Sequence, residues 1–293
     1  MTLEQLRIFV AVAERLHMTR AAQALGLTQS AVSAAVATLE QQHDVRLFNR
    51  VGRGLELSAA GAVFLGEARA VLGRAQAAQD ALGDLAGLKR GSVCVAASQT
   101  VANYWLPGRL ADFASRHAGV SVRLVVANTA HAAQMALEGL VDFSLVEGPI
   151  TDPRLSLTDI GGDSLSVYGG LGHPLADRKS VSVDDLKRAT WVLREPGSGT
   201  RSELETALRA RGLEVQNLAV LLELPSNEAV LGAVAVDGLL TVVSDLAAAP
   251  HLAAGHLVRI GRPLTGRRFS LVSHVDRAIS QAGKALISSF GSN

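Results

Sequence analysis

Ser198-Gly199-Thr200-Arg201 is the densest group of ligand-binding chemistry in the chain. Glycines let a ligand approach the backbone, N–H groups at a helix start favour negative charge, and the two hydroxyls add donors. Two predicted strand ends carry groups of the same kind, Ser98-Gln99-Thr100 and Asn128-Thr129. Together they suit a compact oxyanion better than an aromatic ligand, because donors are many and apolar surface is scarce. The glycines are not a phosphate-binding P-loop, since no lysine follows them in the required register. Glu147 and Glu195 each lie just beyond a strand and would repel a fully ionised ligand. Either Arg201 and the helix start compensate them, or the ligand brings a proton or an amine that a carboxylate can accept, or the two side chains point elsewhere.

A second set of polar groups suits a different target. Thr28, Gln29, Ser30 and Ser33 line the exposed start of a helix, where short polar groups meet phosphate oxygens and base edges of a major groove. Arg50 and Arg53 belong to a glycine-flanked hairpin, and an arginine at such a tip is drawn to a narrow minor groove. Catalytic sets are missing from the sequence. His131, His173, His251 and His256 have no metal-ligand spacing, and Cys94 is the single cysteine, in a predicted buried strand. No enzyme, metal or cofactor is expected.

These groups need elements to position them. Met18 to Ser33 reads as two helices joined by a tight turn, with Ala22 at the crossing, Gly26 where the turn needs positive φ, Thr28 as cap and Val32 facing inward. Leu3, Leu6, Phe9, Val10, Ala13 and Leu16 before it, and Val36 and Leu39 after it, continue apolar stripes at helical spacing. Residues 45–50 and 55–57 alternate like two strands around Val51-Gly52-Arg53-Gly54, which makes a wing. From Ala59 to Ala86 no proline intervenes, so one helix of roughly 40 Å is predicted behind a Ser58 cap. Leu65, Ala68, Leu72, Ala75, Gln79, Leu82 and Ala86 form a heptad seam on it, read as a dimerisation surface.

After the hinge at 87–91, short apolar strands alternate with helices, the pattern of α/β layers. Strands are predicted near 93–97, 120–126 and 143–146, then 166–168, 191–193, 219–222 and 239–243, with a return at 269–272 and a helix from Arg277 to Phe290. The domains expected are residues 1–58, a linker helix and hinge at 59–90, and a two-lobed unit at 91–293. Lobe one takes about 91–163 plus 267–293, and lobe two about 164–266. Ligands bind such sheets outside the carboxyl ends of the strands.

The order of helix, helix-turn-helix, Leu47-Phe48-Asn49-Arg50 and Leu57-Ser58-Ala59-Ala60-Gly61 resembles the LysR-type transcriptional regulators, with the likeness most specific over residues 1–61. The resemblance implies an N-terminal all-α winged helix-turn-helix, a long linker helix that pairs with a second subunit, and a C-terminal α/β two-lobed periplasmic-binding-protein-like effector domain. It also implies a homodimer or homotetramer on a palindromic promoter site in double-stranded DNA, controlled by a small anionic effector. Leu193 to Arg201 is similar to regulators of sulfur and carbon assimilation, which points to sulfite or a related oxyanion first and a phosphorylated or carboxylated metabolite next. Ala34 and Ala35 depart from the longer polar or basic residues of many relatives, leaving specificity to Gln29, Arg53 and DNA shape. The alternative is a constitutive or architectural DNA-binding protein whose second half serves assembly only.

Composition bounds these readings. At 293 residues and 48 % hydrophobic, the chain can fill two or three cores. A net charge of +1 argues against non-specific coating of nucleic acid and leaves the DNA reading to the motif. No run is long and apolar enough for a membrane helix, and the chain starts directly on an amphipathic helix, so a cytoplasmic protein is expected.

Overall fold

A computed structural model describes residues 1–51, 54–85, 91–176, 178, 180–235 and 238–291. The chain divides into two compact units, an N-terminal one built mainly of helices and a C-terminal mixed α/β one.

In the first unit α1 (Leu3–Arg15) opens on a capping box: Thr2 Oγ1 accepts from the Gln5 amide at 3.2 Å, and Gln5 Oε1 accepts from the Thr2 amide at 2.8 Å. α2 (Met18–Leu25) starts at His17 and ends at Gly26, whose φ of 68° is the left-handed turn conformation that glycine adopts without steric cost. α3 (Gln29–His43) is capped by Thr28, which accepts from the Ala31 amide at 3.2 Å. Leu6, Phe9, Val12, Ala22, Val32, Val36 and Leu39 close one core between the three helices.

The wing is the antiparallel pair β1 (Phe48–Val51) and β2 (Gly54–Leu57). Glu40 of α3 fastens it by accepting from the Leu47 and Phe48 amides at 2.7 and 3.1 Å. Ser58 caps α4 (Ala59–Leu85), accepting from the Gly61 amide at 2.9 Å while donating to the Arg46 carbonyl. The heptad seam is divided along this helix. Leu65, Ala68 and Leu72 pack onto the first unit's own core, which corrects the reading of the whole seam as a subunit contact, whereas Leu82 remains exposed. Aromatic bulk explains the capture, since Phe64 packs against Phe9 with ring centroids 4.9 Å apart and the rings tilted by 49°. Arg53, Ala86 and the hinge residues 87–90 lie outside the described residues.

The second unit is built on one eight-stranded sheet. Its strands are β3 (Gly91–Ser98), β4 (Val120–Ala127), β5 (Phe143–Glu147), β6 (Leu155–Gly170), β7 (Thr190–Arg194), β8 (Ala219–Leu224), β9 (Leu239–Ser244) and β10 (Leu257–His274). Their spatial order is β4-β3-β5-β10-β6-β9-β7-β8. β3, β4 and β5 are mutually parallel in lobe one, and β7, β8 and β9 are parallel in lobe two. The antiparallel ribbon β6–β10 runs through both lobes, with register shifts where it passes from one to the other. Helices α5 (Pro107–Arg116), α6 (Thr129–Glu138) and α11 (Gln281–Phe290) accompany the first lobe's strands, and α7 (Val183–Arg188), α8 (Gly199–Arg209), α9 (Asn227–Val234) and α10 (Asp245–Ala253) the second's. Apolar clusters on both sheet faces give each lobe two half-cores, for instance Phe113, Phe143 and Phe269 in lobe one and Trp191, Leu204 and Leu240 in lobe two.

The sequence missed the length of β6 and β10. It also missed a π-helical turn at Val101–Trp105. Glycine pairs and polar residues interrupt the apolar alternation at the ribbon's middle, which hides a continuous strand.

Candidate functional site

On the first unit, Thr28, Gln29 and Ser30 are exposed and Ser33 is half-buried, all at the start of α3. Gln29 Nε2 donates to Ser33 Oγ at 2.9 Å, and the Thr28 and Ser30 hydroxyls stand 3.1 Å apart. The helix thus presents a short polar row whose members hold one another in place. Arg50 is exposed on β1, opposite Leu55 of β2. Arg53 at the hairpin tip lies outside the described residues.

In the second unit the parallel strands of both lobes end facing each other. Ser98 ends β3, Asn128 follows β4, Glu147 ends β5 and Arg194 ends β7. The lobes meet closely where Thr129 Oγ1 donates to the Glu147 carbonyl at 2.8 Å and accepts from the Gly199 amide at 3.1 Å. Only glycine fits at 199, because a Cβ there would stand 2.1 Å from the Glu147 carbonyl oxygen. Ser198, Gly199 and Thr200 are buried at the start of α8, so the structure brings them together with Ser98, Thr129 and Glu147.

A second seam closes the other side. Asn227, at the start of α9, donates through Nδ2 to Thr100 Oγ1 at 3.3 Å and accepts at Oδ1 from Arg194 Nη1 at 2.6 Å. Gln99 bonds both the Asn227 amide and the Pro225 carbonyl. Glu195 is bound by Arg194 through Nε and Nη2 at 2.8 and 3.0 Å, and Asn128 Nδ2 donates to it at 3.2 Å. Burial works against the Glu195 charge, yet the Arg194 guanidinium outweighs it and leaves the pKa below the ordinary carboxylate value. Glu195 is therefore held ionised with Arg194 as its counter-charge.

Arg201 does not compensate the carboxylates of the cleft. Its guanidinium bonds Glu205 at 2.8 Å, Glu223 at 2.9 Å and the Arg194 carbonyl at 3.1 Å, because one turn of α8 and the neighbouring β8 offer it acids on the far side. The cation in the cleft is Arg267 of β10, whose side chain is wholly buried. Its Nε and Nη2 bond Asp163 at 2.5 and 2.8 Å, and its Nη1 lies 3.1 Å from Thr200 Oγ1 and 3.4 Å from Glu147 Oε1. A recess of about 760 Å³ has Asp163, Glu203 and Arg267 on its wall.

Family models match almost the whole chain. Residues 3–62 match the bacterial regulatory helix-turn-helix protein, lysR family, and residues 86–292 match the LysR substrate binding domain. The chain belongs to the LysR family. It is a DNA-binding transcriptional regulator with an effector-binding domain, not an enzyme. The RuBisCO operon transcriptional regulator of Allochromatium vinosum is 36 % identical over 243 residues, which cover 83 % of this chain and 79 % of that one. The crystal structure of full-length CbnR complexed with target DNA superposes with a TM-score of 0.70 at 21 % identity, covering 99 % of each chain. The regulatory domain of Synechocystis PCC6803 CcmR in complex with 2-PG aligns with a TM-score of 0.63 at 23 % identity, over 69 % of this chain and 96 % of that one. No helix among the described residues is long and apolar enough to cross a membrane.

Within this LysR regulator, sequence reading overlooked Arg267, Asp163 and Arg194. A signal for the first was present. Arg267 shares strand parity with Phe269 and Leu271, both buried, so it must face the interior too. Asp163 stands directly opposite it in the ribbon and shares parity with Leu165 and Val167.

Proposed function

We propose that this regulator binds a palindromic promoter site as a homodimer or homotetramer in the cytoplasm and changes its DNA complex when a small anion occupies the cleft between its lobes. Thr28, Gln29, Ser30 and Ser33 read or clamp the major groove, and Arg50 and Arg53 contact the backbone or minor groove beside it. Ser98, Thr100, Asn128, Thr129, Ser198, Gly199 and Thr200 supply the donors of the effector site, with Glu147 and Glu195 on its wall. The observation that carries the reading is the convergence of the Ser98, Thr129 and Thr200 hydroxyls and a buried arginine at the carboxyl ends of strands from both lobes. The RuBisCO-regulator relatives and the 2-PG complex of the CcmR domain support a phosphorylated or carboxylated metabolite ahead of sulfite. Calorimetric titration of the full chain with sulfite, sulfate, phosphate, phosphorylated acids and simple carboxylates tests it. One of them should bind, Thr200→Val should abolish that binding, and the same anion should alter mobility or footprint on operator DNA.

A constitutive DNA-binding protein is the second reading, favoured by the internal partners that Ser98, Thr100, Thr129 and Thr200 already have. It predicts no heat with any of these anions and DNA binding indifferent to them all.

A further inference from the structure

The donors of the cleft already hold an anion, and it belongs to the protein. Glu147 closes β5 with its side chain buried; Ser98 donates its hydroxyl to one carboxylate oxygen, and Arg267 Nη1 faces the other at 3.4 Å. The same guanidinium nitrogen donates to Thr200 Oγ1 at the start of α8. Serine from lobe one and a buried cation from the ribbon therefore bracket the Glu147 carboxylate as they would a free oxyanion, while threonine from lobe two holds the same cation.

We propose that Glu147 is a displaceable internal occupant of the anion site, that Arg267 is the cationic anchor of that site, and that an effector binds by exchanging for the Glu147 carboxylate. This rests on the reading of the second unit as an anion-responsive domain. Charge balance favours exchange over addition. Burial opposes the Arg267 charge, but Glu147 and Asp163 more than offset it and raise its pKa. Glu203, beside them, is pushed up by burial, with Glu147 and Asp163 adding to the effect and Arg267 opposing it. The pocket thus holds more carboxylate than cation already, and an anion added on top would meet repulsion in a region that screens charge poorly. A monovalent anion that expels Glu147 leaves the net charge unchanged and inherits Ser98 and Arg267, the cation that Thr200 holds. A recess with Asp163, Glu203 and Arg267 on its wall lies beside this network.

The exchange has a direct test in the full-length protein. Glu147→Ala deletes a methylene and a carboxylate, the atoms of an acetate ion. Acetate, compared with chloride at equal ionic strength, should raise the melting temperature of Glu147→Ala by roughly 3 to 6 °C at ten times its Kd, and that of the wild type hardly at all. Adding Arg267→Met to Glu147→Ala should abolish the rescue. Glu147→Gln keeps the shape without the charge, and it should bind sulfate at least about tenfold more tightly than the wild type in calorimetry. A folded Glu147→Ala that ignores acetate, a rescue that survives loss of Arg267, or equal sulfate affinity in Glu147→Gln and wild type would each overturn the proposal. Should Glu147→Ala fail to fold, Glu147→Gln alone decides. If the wild type binds a metabolite anion that Glu147→Gln binds no more tightly, the exchange fails and the effector reading stands. If Arg267-dependent rescue occurs while no anion affects wild-type DNA binding, the exchange stands and the effector reading fails.

Discussion

The two polar surfaces of this protein are built on opposite terms. On the first unit Thr28, Gln29 and Ser30 stand exposed at a helix start, joined only to short neighbours, so a base edge can replace a weak internal bond at little cost. In the second unit Ser98, Thr100, Thr129, Thr200, Glu147 and Arg267 are buried and each holds an internal partner, those of Thr100, Thr129 and Thr200 across the lobes. The proposed DNA face is presented in advance, while the proposed effector site is closed on itself. A ligand there must trade bonds rather than simply make them.

The sharpest way to break this contrast is Arg267→Met, which leaves Asp163 and Glu147 buried without their cation. Removing one partner of a buried pair costs about 3 to 5 kcal/mol. Urea unfolding followed through Trp191, which is fully buried in lobe two, should show a loss of that size. A loss as small as that of a surface substitution would mean the network is not structural. On the exposed face the cost should fall on binding instead. Gln29→Ala should weaken operator binding by about 1 to 3 kcal/mol, with unchanged melting, because a bidentate base contact is lost and no core is touched. Mobility-shift titrations on operator and random DNA check it, and equal affinity on the operator would remove α3 from base recognition.

The divided helix α4 sharpens the comparison further. Leu72→Ala should destabilise the first unit by about 1 to 2 kcal/mol, below the range for a fully buried leucine, since Leu72 is only partly buried against that core. Leu82→Asp, on an exposed residue, should leave unit stability alone and lower the oligomer in sedimentation. An unchanged oligomer in Leu82→Asp would place the subunit contact elsewhere. Smallest is Glu203→Gln. The raised Glu203 pKa means that the folded chain holds this proton more tightly than the unfolded one, so its contribution to stability falls as pH rises from about 4.3 through the raised value. Glu203→Gln should therefore melt slightly higher than the wild type at neutral pH and equally with it in acid. A lower melting point at neutral pH would show that the ionised carboxylate is stabilising.

What could be read in advance follows the range of the interactions. Gly26, Thr28 and Ser58 act on residues a few positions away, and their turn and caps appear in the amino-acid order itself. Hydroxyls at strand ends were legible because a parallel strand's end is a fixed place relative to its sheet. The partners of those hydroxyls were not. Asn227 reaches Thr100, and Arg267 reaches Thr200, from elements whose relative placement depends on the whole ribbon. Arg201 misled for the same reason: it sits in the run proposed to bind ligand, but Glu205 and Glu223 lie within its reach on the other side. A charge in phase with buried strand neighbours, as at Arg267 and Asp163, was the one local trace of the buried network.

The ribbon β6–β10 also sets the order in which the protein can be made. Lobe one has its first three strands early in the chain, but Leu145 of β5 pairs with Leu271 of β10, which emerges only after all of lobe two has been synthesised. Lobe two, by contrast, is bracketed by the ribbon's two arms and can complete its sheet as soon as Ile260 meets Val167. A nascent chain thus carries an open sheet edge at β5 until its last strand arrives. Such late, non-local closure is slow and leaves a strand edge exposed to other chains, so the growing polypeptide is most prone to aggregate while β10 is still missing.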